Sequence, residues 1–177
     1  MTEKLDKAAE VAAEAVRGGM RILALDYGRT KIGLALADSE LRLAEPFDTM
    51  ERVNRNEDMR RLRELVREKK VRQVVVGLPL RLDGTRGEMA EEVEGFAERV
   101  RKQVGVPVEL VDERLTSWEA ERILEEELGR RIKPPVTHQG RRKAVKPGDG
   151  KYSVDAVAAM VILREYLTRE SGAGETE

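Results

Sequence analysis

Apolar and polar positions in the first part of the chain predict three β-strands. Residues 20–26 and 32–38 are short apolar runs separated by the turn-forming residues 27–31, which is the pattern of a β-hairpin. Residues 41–50 predict a third strand. Pro46 assigns this strand to a sheet edge, because proline cannot donate a hydrogen bond to a neighbouring strand.

Two further strands alternate with helices in the rest of the chain. Residues 71–80 form an almost continuous apolar run, typical of a strand buried on both faces, and residues 106–112 predict the last strand. Apolar residues at helical spacing predict helices over 58–70, from Met89 to Gly105, and over 153–167. A capping-box pattern, Thr116 to Glu119, opens another helix that continues through about Leu128. This order predicts an α/β fold, a mixed five-stranded sheet with helices on both faces.

A chain of 177 residues has the length of a single domain. We assign the domain to residues 20–170 and a disordered tail to 171–177. Residues 1–19 are interpreted as a helical extension, because residues 1–17 are amphipathic and Gly18-Gly19 ends them. This extension is either a solvated appendage or a helix that packs against the domain or a second copy.

Composition removes several classes of protein. The chain has no cysteine and a single histidine, which excludes a disulfide scaffold, a thiol nucleophile and a zinc site built on several imidazoles. Zero cysteines fit a reducing, cytoplasmic setting, and no apolar run is long enough to span a membrane. The charge balance, 33 Lys and Arg against 34 Asp and Glu, does not by itself predict a polyanionic partner.

Four acidic residues fall at the ends of predicted elements, where α/β sheets place their ligands. Asp26 closes the first strand, Asp112 and Glu113 close the last, and Asp155 lies in the first turn of the final helix. At most one of Asp112 and Glu113 should face the same side as Asp26, because successive strand residues point to opposite faces. Clustered carboxylates repel, and a divalent cation with oxygen ligands, Mg²⁺ or Mn²⁺, would relieve that repulsion.

Residues 26–33 have the form D-x-G-x-T-x-x-G, in which the glycine allows a tight turn close to a phosphate or to a metal's waters. This form opens two kinds of site, that of ribonuclease H-type nucleases and the phosphate loop of actin-like and sugar-kinase ATPases. The ATPases resemble paired domains with a second glycine-rich loop. Because this chain has neither the length nor an obvious second loop, the nuclease is favoured.

Four blocks of the sequence together resemble the YqgF/RuvX family, the Holliday junction resolvase group. The blocks are RILALDYGRTKIGLALAD, VVVGLPLRLDGTRGEMAEEVEGFAERV, VELVDERLTSWEAERIL and SVDAVAAMVILREYL, in the family's order and spacing. The resemblance implies a ribonuclease H-like fold and a nuclease with a three-carboxylate metal site. By matched position, Asp26, Glu113 and Asp155 are its catalytic and metal-binding residues. The resemblance also implies a role in maturing the 5′ end of 16S ribosomal RNA.

A basic segment precedes the last of these carboxylates. Residues 129–151 hold eight Lys and Arg side chains against one Asp, a local charge of +7, which suits contacts to phosphates. We predict nucleic-acid contacts at Arg29, Lys31, Arg141, Arg142 and Lys143. The alternative is a solvated loop, partly inserted relative to the family, in which His138 is exposed.

The sequence therefore predicts a metal-dependent endonuclease acting on structured RNA. A four-way DNA junction is the second candidate substrate, and it implies a homodimer, because resolving a junction needs two active sites. From a different class comes a nucleic-acid-binding module with little hydrolysis, against which the presence of all three carboxylates argues. A monomer or a homodimer is compatible with the sequence.

Overall fold

A computed structural model describes residues 19–81, 83–113 and 152–172. Five strands form one sheet: β1 (Arg21–Tyr27), β2 (Lys31–Asp38), β3 (Leu43–Glu51), β4 (Val71–Leu78) and β5 (Val108–Asp112). Three helices lie in the same part of the chain: α1 (Arg55–Glu68), α2 (Glu88–Val104) and α3 (Val154–Gly172). The N-terminal extension, the helix predicted through Leu128 and the basic segment lie outside the described residues.

The sheet is mixed, with strand order β3-β2-β1-β4-β5. β2 runs antiparallel to both β1 and β3, whereas β4 runs parallel to β1 and to β5. The predicted hairpin, the five strands and the edge position of the strand that holds Pro46 are confirmed. β4 lies inside the sheet, between β1 and β5, and ends at Leu78, two residues before the predicted end, next to Pro79.

Helices cover both faces of the sheet, as predicted. α3 packs on one face, against a layer of small side chains that includes Ala24 and Ala35. α1 and α2 pack on the other face, over Leu23 and Leu25. Because side chains alternate along β1, the next two residues, Asp26 and Tyr27, continue this alternation toward the α3 face and the α1/α2 face respectively.

α1 begins three residues earlier than the apolar spacing predicts. The Asn54 side chain accepts a hydrogen bond from the Glu57 N–H at 2.9 Å, which caps a polar first turn. Asp58, at the predicted start of the helix, instead lies inside it and is fully buried.

α3 is buried on more sides than a single apolar stripe predicts. Ala156, Ala159, Met160 and Leu163 are buried besides the predicted positions, because the helix crosses several strands. Val154, predicted to lie on the buried side, is 49% exposed at the start of the helix. None of the helices in the described part of the chain is long and apolar enough to cross a membrane.

Candidate metal centre

Asp26 is at the centre of the candidate site. It is the penultimate residue of β1, just before the β1–β2 turn. It pairs with Gly33 of β2, and its predecessor Leu25 pairs with Val76 of β4, so Asp26 lies between two strands that each have a glycine nearby. Gly33 and Gly77 lie on the α3 face with Asp26, because Ala35 and Val75, two residues away from them, belong to the core under α3. Neither glycine has a side chain to fill that face.

The space over Gly33 is occupied by the first turn of α3. A Cβ added at Gly33 would lie 1.9 Å from the backbone oxygen of Asp155. The Ser153 hydroxyl accepts a hydrogen bond from the Ala156 N–H at 3.1 Å and so caps this turn. Glycine at position 33 therefore lets the helix start, and Asp155 with it, lie directly against the strand position that pairs with Asp26.

The space over Gly77 is occupied by Glu113. A Cβ added at Gly77 would lie 2.0 Å from Oε1 of Glu113 and 2.6 Å from Cδ1 of Ile162. Val111, two residues before Glu113, is buried under α3, so the alternation of β5 carries Glu113 to the α3 face and leaves Asp112 off it. Of the two acids at the end of β5, Glu113 is thus the one beside the Asp26 face.

Electrostatics links the three carboxyl groups. Burial, the charge of Glu113 and the charge of Asp155 together raise the pKa of Asp26 from 3.8 to about 7. Burial, and then the charge of Asp112, raises the pKa of Glu113. Residues that are 87 and 129 positions from Asp26 along the chain therefore act on it through space.

The donor set suits a hard divalent cation. Three carboxylates offer oxygen ligands, and a cation near Asp26 would oppose the like-charge repulsion that raises its pKa. Within residues 19–81, 83–113 and 152–172, however, no three acidic or histidine side chains are already arranged as a metal-binding group. The metal-binding roles of Asp26, Glu113 and Asp155 stay a prediction.

The cations predicted to contact nucleic acid have different surroundings. Arg29 is in the β1–β2 turn and donates to Glu92 of α2 at 2.7 Å, with Glu88 at 3.4 Å. Its side chain is still 60% exposed. Lys31 begins β2 and is half-buried. Arg141, Arg142, Lys143 and His138 lie outside the described residues, so their roles stay predictions.

Sequence reasoning missed a buried polar network under the β1–β2 turn. Asp58 accepts from Nε of Arg52 at 3.0 Å and from the Val53 N–H at 3.1 Å. Arg52 also donates to the Tyr27 hydroxyl at 2.8 Å and to the Gly28 carbonyl at 3.3 Å. The network fixes the turn that follows Asp26. Its only sequence signal is an acid at a core position of an amphipathic helix.

Comparison with known proteins agrees with this architecture. The family model RuvX, described as Holliday junction resolvase, matches residues 20–169. A protein of Anaeromyxobacter dehalogenans (strain 2CP-C) with the name "Putative pre-16S rRNA nuclease" is 43% identical over 152 residues, which cover 86% of this chain and 99% of that protein. A protein of the same name from Chloroflexus aurantiacus (strain J-10-fl) is 39% identical over 146 residues, covering 82% and 85%.

Among solved structures, T. thermophilus RuvC in complex with a Holliday junction substrate shares the fold. It aligns with a TM-score of 0.50 at 16% identity, over 86% of this chain and 96% of RuvC. The predicted ribonuclease H-like architecture and the family resemblance are both confirmed. The chain belongs to the RuvX family.

Proposed function

We propose that this chain is a metal-dependent endonuclease that hydrolyses phosphodiester bonds, with the precursor of 16S ribosomal RNA as its substrate. The observation that carries the proposal is the arrangement around Asp26, where Gly33 admits the start of α3 with Asp155 and Gly77 admits the Glu113 carboxylate. Burial and these two carboxylates raise the pKa of Asp26 to about 7. Perturbed groups of this kind are concentrated at functional sites. The substrate comes from the names of the relatives that share about 40% identity over most of their length.

Asp26, Glu113 and Asp155 are the residues that would hold Mg²⁺ or Mn²⁺. Such ions activate a water and stabilise the leaving oxygen of a phosphodiester. In the metal-free protein the pKa of Asp26 is raised to about 7, so this carboxyl group is partly protonated at neutral pH, and cation binding would favour its ionised form. The Gly33 and Gly77 positions keep the α3 start and the Glu113 carboxylate close to Asp26. We place this activity in the cytoplasm, as part of ribosome biogenesis.

A Holliday junction resolvase is the second candidate function. It is favoured by the description of the family and by the fold shared with a resolvase. Cutting two strands of a four-way junction needs two active sites, so this function requires a homodimer. Cleavage of RNA by a monomer would therefore support the RNA nuclease and argue against the resolvase.

The test is cleavage by the purified full chain of three matched substrates: RNA spanning the 5′ end of 16S RNA, linear DNA and a four-way junction. Each is incubated with Mg²⁺, with Mn²⁺ and with a chelator. We expect metal-dependent cleavage of the RNA, and Asp26→Asn should lower its rate by more than about 100-fold, or roughly 2.7 kcal/mol of transition-state stabilisation. RNA binding should be largely kept, because the amide preserves the shape of the side chain.

The outcomes separate the candidate functions. If a dimer of the protein cleaves only the four-way junction, the resolvase function replaces the RNA nuclease function. Binding without cleavage in any metal would leave only a nucleic-acid-binding module. A wild-type rate in Asp26→Asn, after removal of contaminating nucleases, would reject the carboxylate mechanism.

A further inference from the structure

A second polar site lies on the opposite face of the sheet from the carboxylates. α1 and α2 leave a cleft of about 420 Å³ between them, at the low end of the range for small-ligand pockets. Its lining is mostly charged: Tyr27, Arg52, Arg55, Glu91, Glu92, Gly95 and Arg99. Tyr27 follows Asp26 directly in β1, so the cleft and the carboxylates lie at the same end of the same strand.

Two of the charged pairs in the cleft are already engaged. Arg52 is bound to the buried Asp58 at 3.0 Å, and Glu92 accepts from Arg29 at 2.7 Å. The hydrogen bond from Arg29 also lowers the pKa of Glu92, which keeps that carboxylate charged and paired. These groups form the wall of the cleft and leave little binding capacity for a ligand.

Arg55 and Arg99 are different, because neither makes a hydrogen bond or an ion pair with the described residues. The Nε–H of Arg99 is buried and has no hydrogen-bond partner there. Buried donors are almost always satisfied in folded proteins, so an unsatisfied one calls for a partner. A guanidinium offers a planar fork of donors that matches the oxygens of a phosphate.

We propose that Arg55 and Arg99 bind a phosphodiester of the nucleic-acid substrate in the cleft between α1 and α2, away from the bond that is cut. This inference rests on the proposed function for the identity of the substrate. With the engaged pairs set aside, the two arginines face one carboxylate, the exposed Glu91, a net charge of +1. That charge matches a phosphodiester, which carries one negative charge, better than a terminal phosphate, which carries nearly two.

The β1–β2 turn connects the two sites. Its Arg29 side chain is 60% exposed and is paired with the cleft residue Glu92. A strand of substrate that crosses the turn would contact the carboxylates on one side and the cleft on the other. The cleft would then fix the position of the strand relative to the cleaved bond.

The test is RNA binding by the double variant Arg55→Gln/Arg99→Gln, measured in the full chain by fluorescence anisotropy with a chelator present, so that cleavage does not interfere. The charge-matched control is Arg63→Gln/Arg67→Gln, two exposed arginines toward the other end of α1. We expect the cleft variant to lose roughly tenfold in affinity. The plot of log affinity against log salt should also become shallower by about 0.7 units, because the contact to one phosphodiester is lost.

Two further measurements assign the effect to the cleft. Arg99→Lys, which keeps the charge and loses the fork, should recover only part of the affinity. The Nε–H resonance of Arg99, assigned by its loss in Arg99→Gln, should shift on addition of RNA and much less on addition of inorganic phosphate. Thermal unfolding of each variant controls for loss of fold.

Each outcome bears on the inference separately from the function. Equal affinities for the cleft variant and the control variant would overturn the inference even if the wild type cleaves RNA. A shift of the Arg99 resonance by inorganic phosphate with no change on adding RNA would also overturn it, and would leave a free-anion site. If the cleft variant loses affinity as expected but the wild type cleaves no substrate, the cleft inference is supported and the nuclease function is rejected. No RNA binding by the wild type would reject both.

Discussion

At the scale of single residues, Asp26 is where burial and like charge act together. Its pKa is raised to about 7, whereas an unfolded chain would have a value near 3.8. Between these values the folded protein binds a proton that the unfolded chain has lost, so the free energy of unfolding falls as pH rises. The full shift corresponds to at most about 4 kcal/mol at 1.36 kcal/mol per pKa unit.

We therefore expect Asp26→Asn to stabilise the metal-free protein more at pH 8 than at pH 5. The difference between the two pH values should be up to about 2 to 3 kcal/mol, since most of the ionisation occurs between them. Urea denaturation of both proteins with a chelator present measures it. Asp48→Asn, which removes one carboxylate from an exposed position of β3, serves as the control. An equal effect of Asp26→Asn at both pH values would contradict the raised pKa.

Glu113 and Asp112 provide a second residue-scale prediction. Glu113 lies over Gly77 on the α3 face. Because Val111 is buried under α3, the alternation of β5 leaves the preceding residue, Asp112, off that face. Glu113→Gln should lower the metal-dependent cleavage rate by at least about 100-fold, or roughly 2.7 kcal/mol. Asp112→Asn should lower it by no more than about tenfold, or roughly 1.4 kcal/mol. The reverse ranking would assign the metal ligand to Asp112.

At the scale of elements, the site depends on how closely the start of α3 approaches β2 and the Glu113 side chain approaches β4. Gly33 admits the backbone of the α3 start, and Gly77 admits the Glu113 side chain. Backbone cannot move aside as a flexible side chain can. A methyl group at position 33 must therefore shift the helix, whereas one at position 77 shifts mainly a carboxylate.

We expect Gly33→Ala to lower the free energy of unfolding by about 1 to 3 kcal/mol, the usual cost of overpacking. Gly77→Ala should affect cleavage more than stability, because it displaces Glu113. Gly95→Ala is the control for the unfolding measurement only: its Cβ meets nothing within 4 Å in a helical segment, and alanine should stabilise α2 by about 0.5 to 1 kcal/mol. Urea denaturation and cleavage rates give the two readouts. Full activity in Gly77→Ala would argue against a role for Glu113.

The buried network under the β1–β2 turn belongs to the same scale. It joins β1, the segment before α1 and α1 itself through Tyr27, Arg52 and Asp58. Tyr27 also packs its ring against Phe96 of α2, with centroids 4.9 Å apart, and carries the Arg52 guanidinium 4.7 Å from its ring centre. The turn after Asp26 is therefore held by three elements, which keeps the carboxylate end of β1 in place.

At the scale of the whole molecule, charge is distributed unevenly. The formal net charge of the chain is −1. Residues 129–151 nevertheless carry a local charge of +7, and this segment ends four residues before Asp155. A polyanionic substrate responds to local charge within roughly 8 to 10 Å at physiological salt. The basic segment can therefore contribute to binding although the total charge does not.

Neutralising Arg141, Arg142 and Lys143 together should weaken nucleic-acid binding for many sequences alike. The slope of log affinity against log salt should become shallower by about 2 to 3 units, because each lost phosphate contact contributes roughly 0.7 to 0.9. Sequence preference should hardly change, since phosphate contacts carry no base information. Titrations at several salt concentrations test this. An unchanged slope would indicate a solvated loop, and the substrate path would then lie along Arg29, Lys31 and Arg81.

The amino-acid sequence by itself determined the order and type of the described elements, and it predicted Asp26, Glu113 and Asp155 as the metal ligands. Alternation and helical spacing are local properties, so the hairpin, the buried strand β4 and the helices could be predicted, and Pro46 identified an edge strand from one missing donor. The predicted start of α1 was wrong by three residues, because Asn54 and the polar first turn lie outside the apolar stripe.

Only the tertiary structure decided which groups meet. That Glu113 rather than Asp112 lies beside Asp26 depends on the register of β5 and on α3 above it. Elements far apart in the chain meet at the close contacts of Gly33 and Gly77 with Asp155 and Glu113. The same holds for the buried Asp58 and for the cleft lined by Arg55 and Arg99. Local spacing cannot specify such contacts, because they arise from strand pairing and helix packing over long separations.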